Sequence, residues 1–243
     1  MSSFEIAITG AASEMGLATA QPLASRGAIV SLADINKTAP EEAPASLAKP
    51  STEKQHIHTV VDVRDSCSVD EWIQTTVQSP GRLDGAVNMA SFIKHATPII
   101  ESTDEDWDFI MAVNAQGIYA CLRTQRKAMC AGGSIVSAAS VFGQFGAPRN
   151  TAYCASKAAV ISMKRTAAKE NQHIRVNCVS PGSIRTPLSE GESLEDVKRN
   201  LQHMDQKRKA EPIEVARVIA FLLSDESSFV TGAVIMWTAA GFI

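Results

Sequence analysis

FEIAITGAASEMG, residues 4–16, joins an apolar run to a glycine-containing turn and then to a helical pattern. The run from Phe4 to Thr9 is typical of a buried strand, and beyond Gly16 apolar residues recur at helical spacing as far as Ala24. Strand, glycine turn and helix together open a βαβ unit. Glycines let a backbone approach a pyrophosphate, and a helix N-terminus presents N–H groups and the positive end of its dipole. The stretch therefore predicts a parallel sheet with a dinucleotide site beside its first strand.

Strand-like runs and helical patterns alternate along the rest of the chain. The strand-like runs cover residues 28–32, 56–63, 83–89, 133–137, 174–179 and 230–236. The helical patterns cover 68–77, much of 103–132, 151–169 and 213–223. This alternation predicts an α/β fold, a Rossmann-like doubly wound sheet of seven parallel strands with helices on both faces. No internal linker stands out, so we expect a single domain over 1–243, in which the polar segment 183–209 is a mobile flap over the site.

Composition narrows the classes of function. The chain has 243 residues, 45% of them apolar, and can bury a large core. A net charge of −3 offers no basic surface for nucleic acid, and no apolar run approaches the roughly 18 residues of a membrane span. The five cysteines form no C-x-x-C pair and have no ligand spacing with histidine, so we expect neither a metal site nor disulfides. Because the chain starts directly in a strand-like run without a signal peptide, we expect a cytoplasmic protein.

Acidic residues follow two of the predicted strands. Asp34 lies about 20 residues after the glycine turn, where a carboxylate accepts hydrogen bonds from the adenosine ribose and repels a 2′-phosphate. Asp34 therefore favours NAD over NADP, although a turn or helix-cap role is also common for aspartate. Asp62 and Val63 follow the third strand and can border the adenine. Asp62 can also cap the next helix, and the two roles are compatible.

Tyr153 and Lys157 are four residues apart on a predicted helix, so their side chains lie on one face of it. A lysine ammonium beside a phenol favours the phenolate, and a serine such as Ser140 can hold the oxygen of an alcohol or carbonyl. The three residues predict a proton-transfer site that interconverts C–OH and C=O. Taken alone, a tyrosine and a lysine at this spacing also fit an ordinary exposed helix face.

The position of the candidate residues along the chain decides between these readings. In an open parallel sheet, ligands bind at the carboxyl ends of the strands. Each of the first six predicted strands is followed by one of the candidates, which in order are Gly10, Asp34, Asp62, Asn88, Ser140 and Pro181-Gly182. A single cofactor cleft explains this convergence better than six coincidences.

With these motifs the chain resembles the short-chain dehydrogenase/reductase family, in its compact single-domain branch, over nearly its whole length. The family's glycine turn T-G-x-x-x-G-x-G corresponds to residues 9–16, and its N-N-A-G stretch corresponds to residues 88–91. Its helix asparagine, its serine and its Y-x-x-x-K pair correspond to Asn114, Ser140, Tyr153 and Lys157. Its P-G motif after the sixth strand corresponds to residues 181–182, with Thr186 following.

The resemblance implies a role for each position. Tyr153 would be the general acid/base, Lys157 would lower its pKa and bind the nicotinamide ribose, and Ser140 would orient the substrate oxygen. Asn114 would hold a water that links Lys157 to solvent. In oxidation the Tyr153 phenolate would take the hydroxyl proton as hydride moves to NAD⁺. The residues expected to hold the cofactor are Gly10, Ser13, Met15, Gly16, Asp34, Ile35, Asp62, Val63, Asn88, Ala90, Tyr153, Lys157, Pro181, Gly182, Ile184 and Thr186. A homodimer or homotetramer built on the helices within 103–132 and 151–169 is also implied.

Two stretches depart from the family pattern. Glu14 replaces a glycine of the turn, and since a carboxylate repels a pyrophosphate we expect it to point outward, to a neighbouring cation. Met89 and Ser91 replace asparagine and glycine after the fourth strand, which would reshape the pocket beside the nicotinamide. Neither change removes a proton-transfer group.

The leading hypothesis is an NAD-dependent oxidoreductase that interconverts a secondary alcohol and a ketone. Aromatic and aliphatic residues near the site indicate an apolar small-molecule substrate such as a steroid, terpenoid or polyketide; they are Phe92, Ile93, Phe142 and Phe145. A second hypothesis keeps the cofactor but not the redox turnover, as in a cyclase, isomerase or dehydratase. A third is a catalytically silent binding subunit, against which the intact catalytic residues argue.

Overall fold

The computed structural model describes residues 4–37, 42–50, 54–78, 81–94, 96–186, 202 and 206–238. Its strands are β1 (Glu5–Thr9), β2 (Ile29–Asp34), β3 (Ile57–Val60), β4 (Leu83–Asn88), β5 (Met129–Ala138), β6 (Arg175–Pro181) and β7 (Val234–Trp237). They form one seven-stranded sheet in the order β3-β2-β1-β4-β5-β6-β7, and every neighbouring pair is parallel. The predicted doubly wound sheet is confirmed.

The helices lie between the strands. They are α1 (Glu14–Ser25), α2 (Glu42–Ala45), α3 (Ser66–Gln78), α4 (Asp104–Met111), α5 (Gly117–Ala128), α6 (Phe142–Phe145), α7 (Thr151–Lys169) and α8 (Pro212–Leu223). A π-helical turn, Ala112–Gln116, joins α4 to α5. Helix α1 begins at a serine cap, because the Ser13 hydroxyl accepts a hydrogen bond from the Gly16 N–H.

The sheet is buried on both faces. Along β1, Ile6 and Ile8 belong to one core cluster, which α1 and α8 cover, whereas Ala7 between them belongs to the cluster under α3 and α5. Successive side chains of a strand point to opposite faces, so a strand covered on both sides is apolar throughout. This explains why the apolar residues Ile6, Ala7 and Ile8 follow one another in β1 without alternating with polar ones.

Several element boundaries differ from the prediction, among them the one between the helix within 103–132 and the fifth strand. The helix expected within 103–132 ends at Ala128, and β5 begins directly at Met129. The register between β4 and β5 shifts between Leu83 and Gly85, and Gly132 adopts a φ of +87°. This irregularity, which glycine permits, hides the start of the strand from a periodicity analysis.

Part of the predicted flap can be placed. Residues 187–201 and 203–205 lie outside the described residues, while Ile184 forms a parallel bridge with Ala210. No helix in the described ranges is both long and apolar enough to cross a membrane. All five cysteines are free.

Candidate active site

A cavity of about 650 Å³ opens at the carboxyl edge of the sheet, a size suited to a small-molecule ligand. Most of the predicted site residues line it: Gly10, Ser13, Met15, Asp34, Ile35, Asp62, Val63, Ala90, Ser140, Tyr153, Lys157, Pro181, Gly182, Ile184 and Thr186. Gly16, Asn88 and Asn114 lie behind the wall. Strand topology thus brings the loops after β1 to β6 to one cleft.

The glycine turn is packed tightly against the loop after β4. Gly10 has a φ of +67°, and a Cβ there would come within 2.8 Å of the Ala90 nitrogen. A Cβ on Gly16 would overlap the Gly10 carbonyl oxygen, so Gly16 permits the close approach of α1 to β1 and does not touch the cavity. Thr9 Oγ1 accepts hydrogen bonds from the N–H groups of Met89 and Ala90, which fixes the other side of the contact.

The first turn of α1 faces the cavity. By their position, the N–H groups of Glu14 and Met15 have no intrahelical acceptor, and both residues belong to the cavity wall. The Glu14 side chain is exposed, as expected, but the described residues contain no ion pair with it, so the expected neighbouring cation is not found. The turn offers an anion two N–H groups and the positive end of a helix dipole.

Asp34 is hydrogen-bonded through both carboxylate oxygens. Oδ2 accepts from the Ala12 N–H at 2.9 Å, and Oδ1 accepts from the Asn36 N–H at 3.0 Å. A carboxylate has about four acceptor positions, so lone pairs remain for hydroxyls. The turn role foreseen for Asp34 is therefore realised, and its carboxylate also ties β2 to the glycine turn.

Asp62 forms an ion pair with Arg64, with 2.6 Å between Oδ2 and Nη2. Hydrogen bonds from the Arg64 side chain are the main cause of a lowered Asp62 pKa. The Arg64 guanidinium also lies 5.0 Å from the ring centre of Phe109. The expected helix cap at Asp62 is wrong, because the Asp65 carboxylate accepts from the Cys67 N–H at the start of α3.

Lys157 is buried, and its Nζ donates to the Ala138 carbonyl oxygen at 3.0 Å. Nζ lies 5.5 Å from the ring centre of Tyr153. Burial lowers the pKa of Lys157 to about 7. The predicted pairing of the two side chains is therefore present, but the lysine carries less positive charge at neutral pH than an exposed one.

The Tyr153 pKa differs from the sequence-based expectation. Burial raises it above its usual value, and hydrogen bonding with Ser140 and with Ser91 opposes that rise. In the protein alone, desolvation of the phenolate outweighs these two hydrogen bonds, so Tyr153 is a phenol at neutral pH. The expectation that Lys157 by itself favours the phenolate is corrected.

Ser140 is held by its own loop. Its Oγ accepts a hydrogen bond from the Phe142 N–H at 3.2 Å, which leaves the hydroxyl proton to be donated. The Phe142 ring stands edge-on to Tyr153, with 6.3 Å between ring centres. Serine, tyrosine and lysine thus converge on one part of the cavity.

Asn114 lies in the π-helical turn and its amide is fully engaged. Oδ1 accepts from the Phe92 N–H at 2.7 Å, while Nδ2 donates to the Phe92 carbonyl at 2.8 Å and to Ser156 Oγ at 3.1 Å. The side chain therefore fixes the loop after β4, and the water link to Lys157 that the resemblance implied stays a prediction. A π-turn inside a helix frequently marks a functional position.

Asn88 is also structural. Its amide exchanges hydrogen bonds with Gln125 of α5, at 2.9 and 2.7 Å, and donates to Ser137 at 3.1 Å. The side chain lies between sheet and helix and not in the cavity, so the expected cofactor contact is not supported.

The two departures after β4 behave differently. Met89 is buried, and its Sδ accepts a weak hydrogen bond from Thr19 of α1 at 3.6 Å. The Ser91 Oγ is buried and has no hydrogen-bond partner within the described residues. It lies near enough to Tyr153 to affect the pKa of the phenol. Ser91 thus adds a hydroxyl to the proton-transfer site.

Sequence reasoning missed several residues of the cavity wall, among them Arg64, Phe109 and Ser91. Arg64 and Phe109 were overlooked because their contact joins segments far apart in sequence; Phe109 also packs edge-on against Phe92 at 5.0 Å. Ser91 was noted only as a departure. The signal in the sequence was its position three residues after Asn88, in the stretch that follows the fourth strand and borders the cavity.

The family profile described as Enoyl-(Acyl carrier protein) reductase matches residues 10–239. The short-chain dehydrogenase/reductase aba4 of Botryotinia fuckeliana (strain B05.10) is 41% identical over 243 residues, covering 94% of this chain and 92% of that protein. Levodione reductase of Leifsonia aquatica is 33% identical over 242 residues, covering 95% and 91%. A crystal structure of levodione reductase superposes with a TM-score of 0.91 at 31% identity, covering 97% of this chain and 96% of the other.

The family follows from three findings together. A family profile matches most of the chain, a relative is 41% identical over most of its length, and Ser140, Tyr153 and Lys157 converge in one cavity. The chain belongs to the short-chain dehydrogenase/reductase family and is an oxidoreductase of CH–OH and keto groups.

Proposed function

We propose that the protein interconverts a secondary alcohol and a ketone with NAD(H) as cofactor. The observation that carries the proposal is the arrangement of one cavity. Ser140, Tyr153 and Lys157 line one part of it, and the Asp34 carboxylate and the first turn of α1 line another. A dinucleotide has its reactive ring and its adenosine at opposite ends, and the cavity offers matching chemistry for both.

The residues present fit such a cofactor. The Glu14 and Met15 N–H groups suit the pyrophosphate, and the remaining acceptor positions of Asp34 suit the ribose hydroxyls. Asp62 and Val63 are positioned for the adenine. The family uses nicotinamide dinucleotides generally. The preference for NAD over NADP rests on Asp34, whose negative charge would repel a 2′-phosphate.

Tyr153 would transfer the proton. Hydride exchange with the substrate carbon is the chemistry that a nicotinamide supplies when bound. In reduction, the Tyr153 O–H donates its proton to the substrate oxygen as that oxygen gains negative charge, and the Ser140 hydroxyl donates a hydrogen bond to the same oxygen. Since burial keeps Tyr153 a phenol at neutral pH, its resting protonation state suits reduction. In oxidation, the phenolate takes the alcohol proton and is favoured as pH rises.

The substrate class is proposed from the cavity wall. Phe92, Ile93 and Phe142 line the cavity, together with Phe109, and support a substrate with an apolar body. Phe145 is exposed and is not part of the wall, so its expected role is withdrawn. Two relatives are named after a ketone or an alcohol: levodione reductase and meso-2,3-butanediol dehydrogenase. These names agree with the proposed reaction.

The test is a titration with NAD⁺ and NADP⁺, followed by a panel of secondary alcohols and ketones read by the absorbance of NADH. We expect tighter binding of NAD⁺ and turnover of apolar members of the panel. Binding of NAD⁺ without any change in NADH absorbance on the true substrate would instead favour the non-redox alternative of a cyclase, isomerase or dehydratase. Unchanged biological activity of Tyr153→Phe would favour a silent binding subunit.

We also propose a homodimer or homotetramer formed through the faces of α4, α5 and α7. Large apolar side chains are exposed on α4 and α5, among them Trp107 and Tyr119. Exposed apolar patches of this kind mark interaction surfaces. Sedimentation equilibrium should show at least a dimer, and a monomer at micromolar concentration would contradict the proposal.

A further inference from the structure

Ser91 is held in place from both sides. The N–H of the preceding residue, Ala90, donates to Thr9 Oγ1, and the backbone N–H and C=O of the following residue, Phe92, are both bonded to the Asn114 amide. A residue between two anchored neighbours has little freedom of direction. The direction of the Ser91 side chain is therefore set by β1 on one side and by the π-helical turn on the other.

The buried Ser91 hydroxyl needs a partner. Its Oγ has no other hydrogen-bond partner in the described part of the chain, and a buried hydroxyl without one is costly. Ser91 and Tyr153 both line the cavity, and hydrogen bonding from Ser91 is one of the causes that oppose the rise of the Tyr153 pKa. The hydroxyl departs from the family motif, which has glycine at this position.

Ser140 cannot serve two oxygens with one proton. Its Oγ already accepts from the Phe142 N–H, so the hydroxyl has a single proton to donate. When Ser140 donates that proton in a hydrogen bond to a substrate oxygen, it cannot also donate it to the Tyr153 oxygen. A second donor beside Tyr153 removes this conflict.

We propose that Ser91 is a positioning residue whose hydroxyl donates a hydrogen bond to the Tyr153 oxygen while Ser140 donates to the substrate oxygen. The part played by Ser140 rests on the proposed function, whereas the contact of Ser91 with Tyr153 does not. A hydrogen bond donated to a phenolate stabilises it, so loss of Ser91 disfavours the charged form of Tyr153. Proton abstraction in the oxidation direction then requires a higher pH.

The contact is tested first without any substrate. The chain has two tyrosines, so in a Tyr119→Phe background the phenolate absorbance reports Tyr153 alone. Ser91→Ala should contain about three- to tenfold less phenolate at a given pH, a shift of about half to one pH unit. Circular dichroism defines the pH range in which the fold is retained. Ser91→Thr, which keeps the hydroxyl, should restore the absorbance, and Ser180→Ala, which removes a buried hydroxyl outside the cavity, should leave it unchanged.

The second measurement is the pH profile of kcat/KM for alcohol oxidation. Ser91→Ala should move the rising limb upward by about half to one pH unit and leave the KM for NAD⁺ unchanged. Equal phenolate absorbance in Ser91→Ala and the parent, or an equal loss in Ser180→Ala, would overturn the proposal. An absence of turnover in the parent, with the absorbance change intact, would refute the proposed function and keep the contact of Ser91 with Tyr153.

Discussion

Lys164 carries a buried amine that the proposed reaction does not use. It lies on α7, is only 1% exposed, and its Nζ has no hydrogen-bond partner among the described residues. The Cys121 and Cys178 thiols interact electrostatically with it, but burial raises their pKa values to about 12 and about 11, so neither supplies a thiolate at neutral pH. Burial lowers the pKa of Lys164 itself from 10.5 to about 7. We predict that Lys164→Met stabilises the fold.

The sign follows from proton linkage. The unfolded chain keeps the Lys164 proton up to about pH 10.5, whereas the folded chain releases it near pH 7, so between these two values the unfolded state binds more protons. The resulting penalty on the folded state grows as pH falls from 10.5 and saturates below 7. At 1.36 kcal/mol for each pH unit, its upper limit is about 5 kcal/mol. Because methionine fills a similar volume without a charge, we expect a gain of about 2–4 kcal/mol at pH 7.

Urea unfolding at several values between about pH 6 and about pH 10 measures the effect. The increase in the free energy of unfolding caused by Lys164→Met should be largest at or below neutral pH and should shrink toward zero as the pH rises toward 10.5. Lys169→Met is the matched control, because it makes the same substitution at an exposed position of the same helix and should change the free energy of unfolding by less than about 0.5 kcal/mol. Destabilisation by Lys164→Met at pH 7, or a gain that is independent of pH, would refute the reasoning.

Three further predictions concern the site and the opposite edge of the sheet. Tyr153→Phe should lower kcat by about 10²- to 10⁴-fold, because the transferred proton is lost, while calorimetry shows NAD⁺ affinity within a few fold of the parent. Asp34→Asn should weaken NAD⁺ binding about tenfold and improve NADP⁺ binding, because the negative charge at the ribose is removed; KM values for both cofactors check this. Glu5→Gln should stabilise the protein above pH 7 by about 1–2 kcal/mol and have little effect near pH 4. Burial raises the Glu5 pKa to about 7, so the stability that its neutral form contributes is present below 4.5 and is lost as pH rises through 7. Urea unfolding at both pH values measures the difference, and equal effects at the two would contradict it.

The sheet was predictable from the sequence because its strands are short apolar runs whose period and order need no tertiary information. Both faces of β1 are covered, so Ile6, Ala7 and Ile8 form an apolar run that is easily recognised. The start of β5 was missed since Gly132 and the register shift break the periodicity on which such recognition depends. Where β5 begins depends on its pairing with β4, and the local sequence pattern contains no information about that pairing.

The positions of the site residues were predictable, but their partners were not. Strand order alone indicated that Asp34, Ser140 and Tyr153 would meet at one edge. The amide of Asn114 could not be assigned to Phe92 from the sequence, because that contact depends on the π-helical turn. The Tyr153 pKa was misjudged for a related reason: spacing reveals the lysine, while burial, which raises the pKa, depends on the whole fold.

The hydrogen bond from the Ala12 N–H to Asp34 has a consequence for how cofactor choice can evolve. The carboxylate that would select against a 2′-phosphate also anchors the loop proposed to hold the pyrophosphate. A replacement that removes the carboxylate altogether would therefore loosen the loop at the same time as it admits NADP. A lineage that changes its cofactor must keep an acceptor for the Ala12 N–H. It can do so through a residue such as asparagine at position 34, or by first acquiring an acceptor elsewhere, so few single substitutions at this position allow the change.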